Sequence, residues 1–233
     1  MPRGSMNNTI STSELARLVI ARVVGFFIIL ALLFFLPAGT WNYWQAWMWL
    51  ATMVVLTLIA FRYLLKNDPA LLERRMRMRE RVGQQQKIIA VSFIFLLASF
   101  ILPGLDQRYG WSQMPAWVAI LSNGIVILGY LMVLWVFKVN TYTSRIVEVE
   151  AGQKVISTGP YAIVRHPMYV GAFFTYAFSP LVLGSYWAFL PGLMILPILI
   201  LRLLNEEKLL LRDLQGYREY TQKVKYRLLP GVW

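Results

Sequence analysis

One histidine, His166, is present in the chain, and it lies in the run V-R-H-P-M-Y of residues 164–169. Proline is favoured at the first position of a helix, so we expect a helix to begin here with His166 and Tyr169 at its start. A helix start presents unpaired N–H groups and the positive end of the helix dipole, which together favour a bound anion. The run therefore indicates either a site for a carboxylate or phosphate group, or an interfacial turn among lipid headgroups.

A second cluster of ionisable residues ends a long apolar run, where Arg202 is followed by Glu206 and Glu207. Arg202 and Glu206 are four residues apart and so share one face of a helix. Ionisable side chains at membrane depth are functional candidates by default. The simpler alternative is an intrahelical ion pair worth roughly a few tenths of a kcal/mol. Two adjacent glutamates fit that alternative less well, because they point to different faces.

The composition around these clusters is that of an integral membrane protein. Of 233 residues, 58% are hydrophobic and 15% are charged, against about 45–50% and about 25% in an ordinary soluble domain. A soluble protein of this size cannot bury so much apolar surface, and disordered chains are poor in apolar residues. Because the chain has no cysteine and one histidine, we expect no disulfide, no cysteine nucleophile and no metal site.

Long apolar runs set the expected topology, since about 20 residues cross the hydrocarbon core. The first four predicted spans are Leu15–Leu36, Trp44–Leu65, Ile88–Leu105 and Ala116–Phe137. The last run, Met168–Leu204, is too long for one crossing, and we expect Pro180 and residues 184–187 to divide it into a tight helical hairpin. The sequence predicts an all-α integral membrane protein with about six transmembrane helices and a C-terminal amphipathic helix.

The net charge of +12 is concentrated between the apolar runs. Segments 66–87 and 202–233 carry seven Lys or Arg residues each, and segment 138–167 carries four. Such segments mark the cytoplasmic side, so we expect a multi-pass protein of the inner (cytoplasmic) membrane with both termini in the cytoplasm, and no nucleic-acid partner. The loop 66–87 is accounted for by topology and anionic lipid, with a specific partner site as the alternative. An aromatic belt at the outer interface is expected from Trp41, Tyr43, Trp44, Trp47 and Trp49.

Motifs of several soluble enzyme classes are absent from the sequence: it has no G-x-G-x-x-G, P-loop, H-E-x-x-H or G-x-S-x-G. Three other motifs concur in the last third: T-G-P-Y-x-x-V-R-H-P-M-Y-x-G from residue 158, R-x-x-x-E-E from residue 202, and G-Y-x-x-Y-x-x-x-V-x-Y-R-L-x-P from residue 216. In order and spacing they resemble the isoprenylcysteine carboxyl methyltransferase family, which is related to the integral-membrane phospholipid N-methyltransferases.

The chain is expected to divide into three regions. Residues 1–5 are expected to be an expression-tag remnant, residues 6–137 an N-terminal four-helix membrane region, and residues 138–233 a methyltransferase core with a cytoplasmic cofactor-binding segment. The cofactor implied is S-adenosylmethionine, with S-adenosylhomocysteine as product. The acceptor implied is a lipid-like or prenylated small molecule that enters from the bilayer, with surrounding membrane lipids as further partners.

The resemblance also assigns roles to individual residues. Arg202 and Glu206 match catalytic positions, and Arg202 matches the substrate-side arginine. The implied cofactor contacts are Gln153, Lys154, Val155, Ile156, Tyr161, His166, Pro167, Met168, Tyr169, Glu206 and Glu207. These groups suit the cofactor. His166 and the amides at the helix start can bind its carboxylate, and Glu206 can accept hydrogen bonds from its ammonium or ribose hydroxyls. Tyrosine rings can contact its adenine or its sulfonium.

Several alternatives remain open from the sequence. Acceptor identity and O- versus N-methylation are undetermined, so a phospholipid or amine N-methyltransferase is an alternative to the isoprenylcysteine-like carboxylate. Membrane sterol reductases carry a similar R-H-P-x-Y-x-G run with NADPH, but Glu206-Glu207 and the tail from Gly216 to Pro230 favour methyl transfer. A membrane scaffold or transporter is a third alternative. Transporters usually show inverted repeats and mid-bilayer polar sites, and neither is evident in the sequence.

Overall fold

The computed structural model describes residues 12–76, 83–143, 149 and 152–233, and their regular structure is helical. The predicted tag remnant, residues 1–5, lies outside the described residues, as do Arg77, Arg79 and Arg81 of the basic loop. The helices are α1 (Thr12–Ala38), α2 (Trp44–Asn67), α3 (Pro69–Met76), α4 (Gly83–Tyr109), α5 (Ala116–Val139), α6 (Pro167–Val182), α7 (Phe189–Leu193), α8 (Ile195–Asp213) and α9 (Tyr217–Lys223), with a 3₁₀ turn at Gly159–Ala162. The prediction of an all-helical membrane fold is confirmed.

Five segments of the described chain are long and apolar enough to cross a membrane. They are Ser13–Ala38, Trp44–Asn67, Ile88–Tyr109, Ala116–Val139 and Phe189–Asp213. Large apolar side chains on these helices face outward, for example Ile94, 65% exposed, and Leu128, 68% exposed, as expected for surfaces in contact with lipid. Helix α6, where the sequence predicts the fifth of six crossings, has 16 residues and is shorter than these five. The count of six crossings stays a prediction.

The predicted division of the last apolar run lies at Gly184. Pro180 stays inside α6, which continues to Val182. Gly184 then adopts a φ of 82°, in the left-handed region that glycine enters without steric cost. The chain turns there and re-enters the bundle through α7 and α8. Of the two signals that predicted the break, the glycine therefore ends the helix and the proline does not.

Three hydrophobic clusters are found among the described residues, and two of them lie between the long helices. One joins the end of α1 and the start of α2 to α4, α5 and the turn after α6, and includes Leu30, Phe34, Phe100 and Val182. Tyr43 and Trp49 belong to this cluster, with 0% and 3% of their surfaces exposed. The prediction that these two rings lie in an interfacial belt is therefore wrong, because their polar atoms find buried acceptors: Tyr43 Oη donates to Leu183 O (2.5 Å) and Trp49 Nε1 to Ser179 Oγ (2.8 Å).

Helices α5 and α6 are in close backbone contact. A Cβ atom added at Gly171 would lie 2.5 Å from Gly129 O, and one added at Gly129 would lie 2.8 Å from Gly171 O. Small residues of this kind allow membrane helices to approach closely. Helix α5, which the predicted division assigns to the N-terminal region, thus packs against the first helix of the predicted core. The division at residues 137 and 138 stays a prediction.

The second cluster holds the basic helix α3 against the bundle. Leu71 and Leu72 of α3 are buried with Leu15, Leu64 and Phe137. Asp68 Oδ1 accepts the amide of Leu71 (2.9 Å), which caps the helix. The region predicted to set the topology and to contact anionic lipid therefore also contains a packed element of the fold, α3.

Candidate active site

The loop before α6 places Tyr161 against the end of α5. Gly159 has a φ of 58°, and a Cβ there would lie 3.1 Å from Val139 Cγ1, so the turn requires glycine. Tyr161 Oη accepts a hydrogen bond from Asn140 Nδ2 (2.9 Å), and Tyr161 O accepts one from Tyr220 Oη (2.8 Å). Burial raises the pKa of Tyr161 to about 12, so its phenol is neutral at physiological pH.

His166 is the residue immediately before α6, and its side chain is 4% exposed. The helix begins at Pro167, as the sequence predicts. Proline has no N–H, and Tyr169 N donates to His166 O (3.1 Å). The amide of Met168 is therefore the group that the first turn offers to an anion.

Helix α8 brings Glu206 and Arg202 to Tyr169 of α6. Tyr169 Oη donates a short hydrogen bond to Glu206 Oε2. Arg202, one turn earlier on α8, lies near the same hydroxyl. Arg202 and Glu206 are half-buried, whereas Tyr169 is 5% exposed. The two motifs that the sequence singled out, from α6 and α8, thus meet in one polar group of opposite charges.

Glu207 points away from Glu206 into a separate buried group of charges. Its Oε1 lies 3.2 Å from Arg165 Nη1 and 3.7 Å from His166 Nε2, and its Oε2 accepts a hydrogen bond from Arg227 Nε (2.7 Å). A buried carboxylate requires such partners. The prediction that Glu207 contacts the cofactor directly stays a prediction.

The stretch 153–156, a predicted cofactor contact, lies beside α9. Val155 packs against the cluster of Leu214, Tyr217 and Tyr220, while Lys154 is exposed. Tyr217 connects this cluster to the helix start, because its Oη is 3.5 Å from His166 Nε2. Burial, and then the negative charge of Glu207, raises the pKa of the Tyr217 phenol.

Four residues that sequence reasoning left without a role are adjacent to the site. Arg165 and Arg227 form ion pairs with Glu207, and Asn140 donates a hydrogen bond to Tyr161. Arg75 of α3 places its Nη1 3.7 Å from Met168 Sδ. Arg165 and Arg227 fall within the quoted motifs, so the signal for them was present. Nothing in the spacing of Arg75 or Asn140 distinguishes them from ordinary helix-end residues.

Comparison with known proteins finds a family model that matches the part of the chain from α5 to α8. Residues 117–215 match the family model described as phospholipid methyltransferase. This region is similar to the phospholipid methyltransferase family. The matched range runs from α5 to the end of α8 and contains His166, Tyr169, Arg202 and Glu206. The match supports the membrane methyltransferase that the sequence resemblance predicts. No curated protein matches the chain significantly.

A solved structure shares the overall fold. It is that of the eukaryotic intramembrane Ras methyltransferase, isoprenylcysteine carboxyl methyltransferase, determined without a monobody. The match has a TM-score of 0.50 and 16% sequence identity, and it covers 92% of this chain and 87% of that chain. The similarity therefore extends beyond the matched family region to the N-terminal helices.

Proposed function

We propose that the protein transfers a methyl group from S-adenosylmethionine to the carboxylate of a lipophilic, isoprenylcysteine-like acceptor. The observation that carries the proposal is the meeting of Tyr169, Glu206 and Arg202 one helical turn from His166. It combines an anion-binding helix start, a carboxylate and a guanidinium within one site. The match to a methyltransferase family model makes S-adenosylmethionine the cofactor to test.

The residues present fit that cofactor. His166 has no side-chain capping hydrogen bond to the first turn of α6, so the start of α6 remains available for the cofactor carboxylate. Glu206 supplies a half-buried acceptor for an ammonium group or ribose hydroxyls. Tyr161 and Tyr169, which precede and follow Pro167 in the sequence, supply aromatic rings for the adenine or the sulfonium.

Arg202 is the residue that we assign to the acceptor. Its planar guanidinium can bind a carboxylate through two parallel hydrogen bonds. The ammonium group of a lysine does not offer this bidentate geometry. Arg202 lies on α8, which is part of a segment long and apolar enough to cross a membrane, and the neighbouring Leu201 is 54% exposed. An acceptor with a lipid tail can then reach Arg202 from the membrane.

Catalysis by these residues is mainly alignment. When bound, S-adenosylmethionine supplies a methyl group whose bond to sulfur breaks as a bond to the acceptor oxygen forms, leaving S-adenosylhomocysteine. A carboxylate acceptor is already nucleophilic, so no general base is required. Arg202 orients the acceptor, Glu206 and the start of α6 orient the donor, and the buried rings of Tyr169 and Tyr217 exclude water.

An amine acceptor is the second candidate, since the matched family model is described as phospholipid methyltransferase. In that case the acceptor nitrogen would be presented to Glu206 rather than to Arg202. The two candidates differ in their use of Arg202, and an acceptor screen separates them.

Calorimetric titration of purified protein with S-adenosylmethionine tests the cofactor assignment. His166→Ala and Glu206→Ala should each weaken binding about tenfold or more, roughly 1.4 kcal/mol. Glu219→Ala, at an exposed carboxylate on α9, is the matched control and should bind normally. Unchanged affinity in both site variants would overturn the assignment.

Radiolabelled methyl transfer to three acceptors tests the reaction. A prenylcysteine analogue or a small isoprenoid acid should be methylated, and phosphatidylethanolamine should not. Methylation of phosphatidylethanolamine alone would replace the proposed reaction with N-methylation. Retention of NADPH in place of S-adenosylmethionine would indicate a reductase.

A further inference from the structure

The segment after α9 is anchored to the residues that precede α6. Arg165 N donates to Tyr226 O (2.9 Å), and His166 N donates to Arg227 O (3.0 Å). The same segment closes on itself, because Arg227 N and Leu228 N donate to Trp233 O (2.8 and 3.1 Å). The guanidinium of Arg227 lies over the Trp233 ring, 5.0 Å from its centroid. Residues 224–233, here called the C-terminal strap, thus hold the backbone of His166 directly.

Arg227 also reaches the His166 side chain through Glu207. It is the closer of the two arginines on that carboxylate, at 2.7 Å against 3.2 Å for Arg165. The other carboxylate oxygen faces His166 Nε2 at 3.7 Å. A carboxylate with one oxygen fixed by a guanidinium has a defined orientation towards its remaining neighbours. The rotamer of Glu207, and with it the surroundings of His166, therefore depend on Arg227.

We propose that Arg227 is a positioning residue, through which the C-terminal strap fixes His166 for cofactor binding. The inference rests on the proposed function, since the site that it positions is the S-adenosylmethionine site. Among the described residues, Arg227 forms no hydrogen bond with Glu206 or Tyr169. Its effect on the site would therefore pass through Glu207. Residues that lock the rotamers of a binding group from behind determine how precisely the group is held.

The burial of the group supports this role. Arg165 and Arg227 both pair with the single carboxylate of Glu207. Arg165, Glu207 and His166 are each less than 9% exposed, whereas the side chain of Arg227 is 30% exposed. Arg227 is thus the member of the group that can be exchanged with the least disturbance of the core.

The first experiment is a double-mutant cycle on cofactor affinity. Arg227→Gln should weaken S-adenosylmethionine binding about tenfold, the lower end of what loss of an orienting partner costs, and Arg227→Lys should recover part of the loss. If Arg227 acts through Glu207, adding Arg227→Gln to Glu207→Gln should cause little further loss. Lys225→Gln, at an exposed strap position, is the matched control. Fully additive losses, or wild-type affinity in folded Arg227→Gln, would overturn the proposal.

The second experiment measures strap anchoring without the cofactor. The chain has no cysteine, and Val224 is 9% exposed, so a Val224→Cys thiol should react slowly with a maleimide. Arg227→Gln should accelerate this labelling, because the strap loses its ionic contact. Faster labelling with unchanged cofactor affinity would make Arg227 purely structural and overturn the positioning role.

The two experiments also separate this inference from the proposed function. A wild-type protein that binds no S-adenosylmethionine would refute the proposed function, and the positioning role with it. A wild-type protein that binds the cofactor while Arg227→Gln binds it equally well would refute the positioning role alone.

Discussion

Neighbouring glutamates on α8 have separate environments. Glu206 is half-buried and accepts the hydroxyl of Tyr169, whereas Glu207 is 4% exposed and lies between two guanidinium groups. Because successive helix positions differ by about 100°, one residue can face the candidate site while the next faces the strap. The separation predicts that the two residues affect different properties of the protein.

Removing the charge of Glu207 should lower stability. Glu207→Gln leaves Arg165 buried without its counter-charge, and breaking a buried ion pair costs about 3–5 kcal/mol. A thermal melt in detergent should show a lower midpoint for Glu207→Gln and nearly the wild-type midpoint for Glu206→Gln. Equal destabilisation by the two variants would contradict the separation.

Arg202→Lys tests the acceptor role of the guanidinium. Lysine keeps the charge but loses the fork geometry. For a carboxylate acceptor, kcat/KM should fall while the affinity for S-adenosylmethionine stays near that of the wild type. Steady-state methylation and calorimetry on the same preparation provide both numbers. A parallel loss of turnover and cofactor affinity would place Arg202 on the cofactor side.

Residue types at the site were more predictable than their partners. The spacing of Arg202 and Glu206 places them on one helix face, and the structure brings both to Tyr169. The pairing of Arg227 with Glu207 joins residues that are 20 positions apart across a turn and α9. Helical periodicity does not extend across such a break, so the partner could not be read from the sequence.

The packing of α5 against α6 is one of the helix contacts that connect the candidate site to the rest of the bundle. The apolar runs predicted the first residues of two helices, since α2 and α5 begin at Trp44 and Ala116 as expected. Which aromatic rings are buried was not predictable. An interfacial tryptophan and a core tryptophan have the same sequence signature, and burial depends on packing between distant helices.

Gly171→Ala should destabilise the protein. The added methyl group would meet Gly129 O at 2.5 Å and Val133 Cγ2 at 2.9 Å, and overpacking of this kind typically costs about 1–3 kcal/mol. Gly124→Ala on α5 is the matched control, because a Cβ there meets nothing within 4 Å. Thermal melts should show a lower midpoint for the first variant only. An unchanged Gly171→Ala midpoint would show that the helices can separate slightly at low cost.

At the scale of the whole molecule, the second core cluster gathers the start of α1, the end of α2, α3 and the end of α5 at one end of the bundle. Met168, at the start of α6, packs against the same cluster. Helix α3, which carries part of the basic segment 66–87, thus lies beside the candidate site. A soluble donor and a membrane-bound acceptor could then meet there without either crossing the bilayer core.

Thiol labelling tests this orientation. Glu73 of α3 and Gln113 of the loop between α4 and α5 are both exposed, and the native chain has no cysteine. An impermeant maleimide applied to intact cells should label Gln113→Cys but not Glu73→Cys, because the basic segments are expected to face the cytoplasm. The reverse pattern would invert the predicted topology.

The length of α6 links the candidate site to the thickness of the bilayer. Sixteen residues make a helix about 24 Å long, against a hydrocarbon core of about 30 Å. If α6 is the fifth crossing that the sequence predicts, the lipid around it must thin or the helix ends must be drawn inward, and one of those ends is His166-Pro167. We expect methyl transfer to be faster in vesicles of short-chain phosphatidylcholine than in long-chain vesicles of equal fluidity. The acyl chains would then act as a mechanical regulator of the protein.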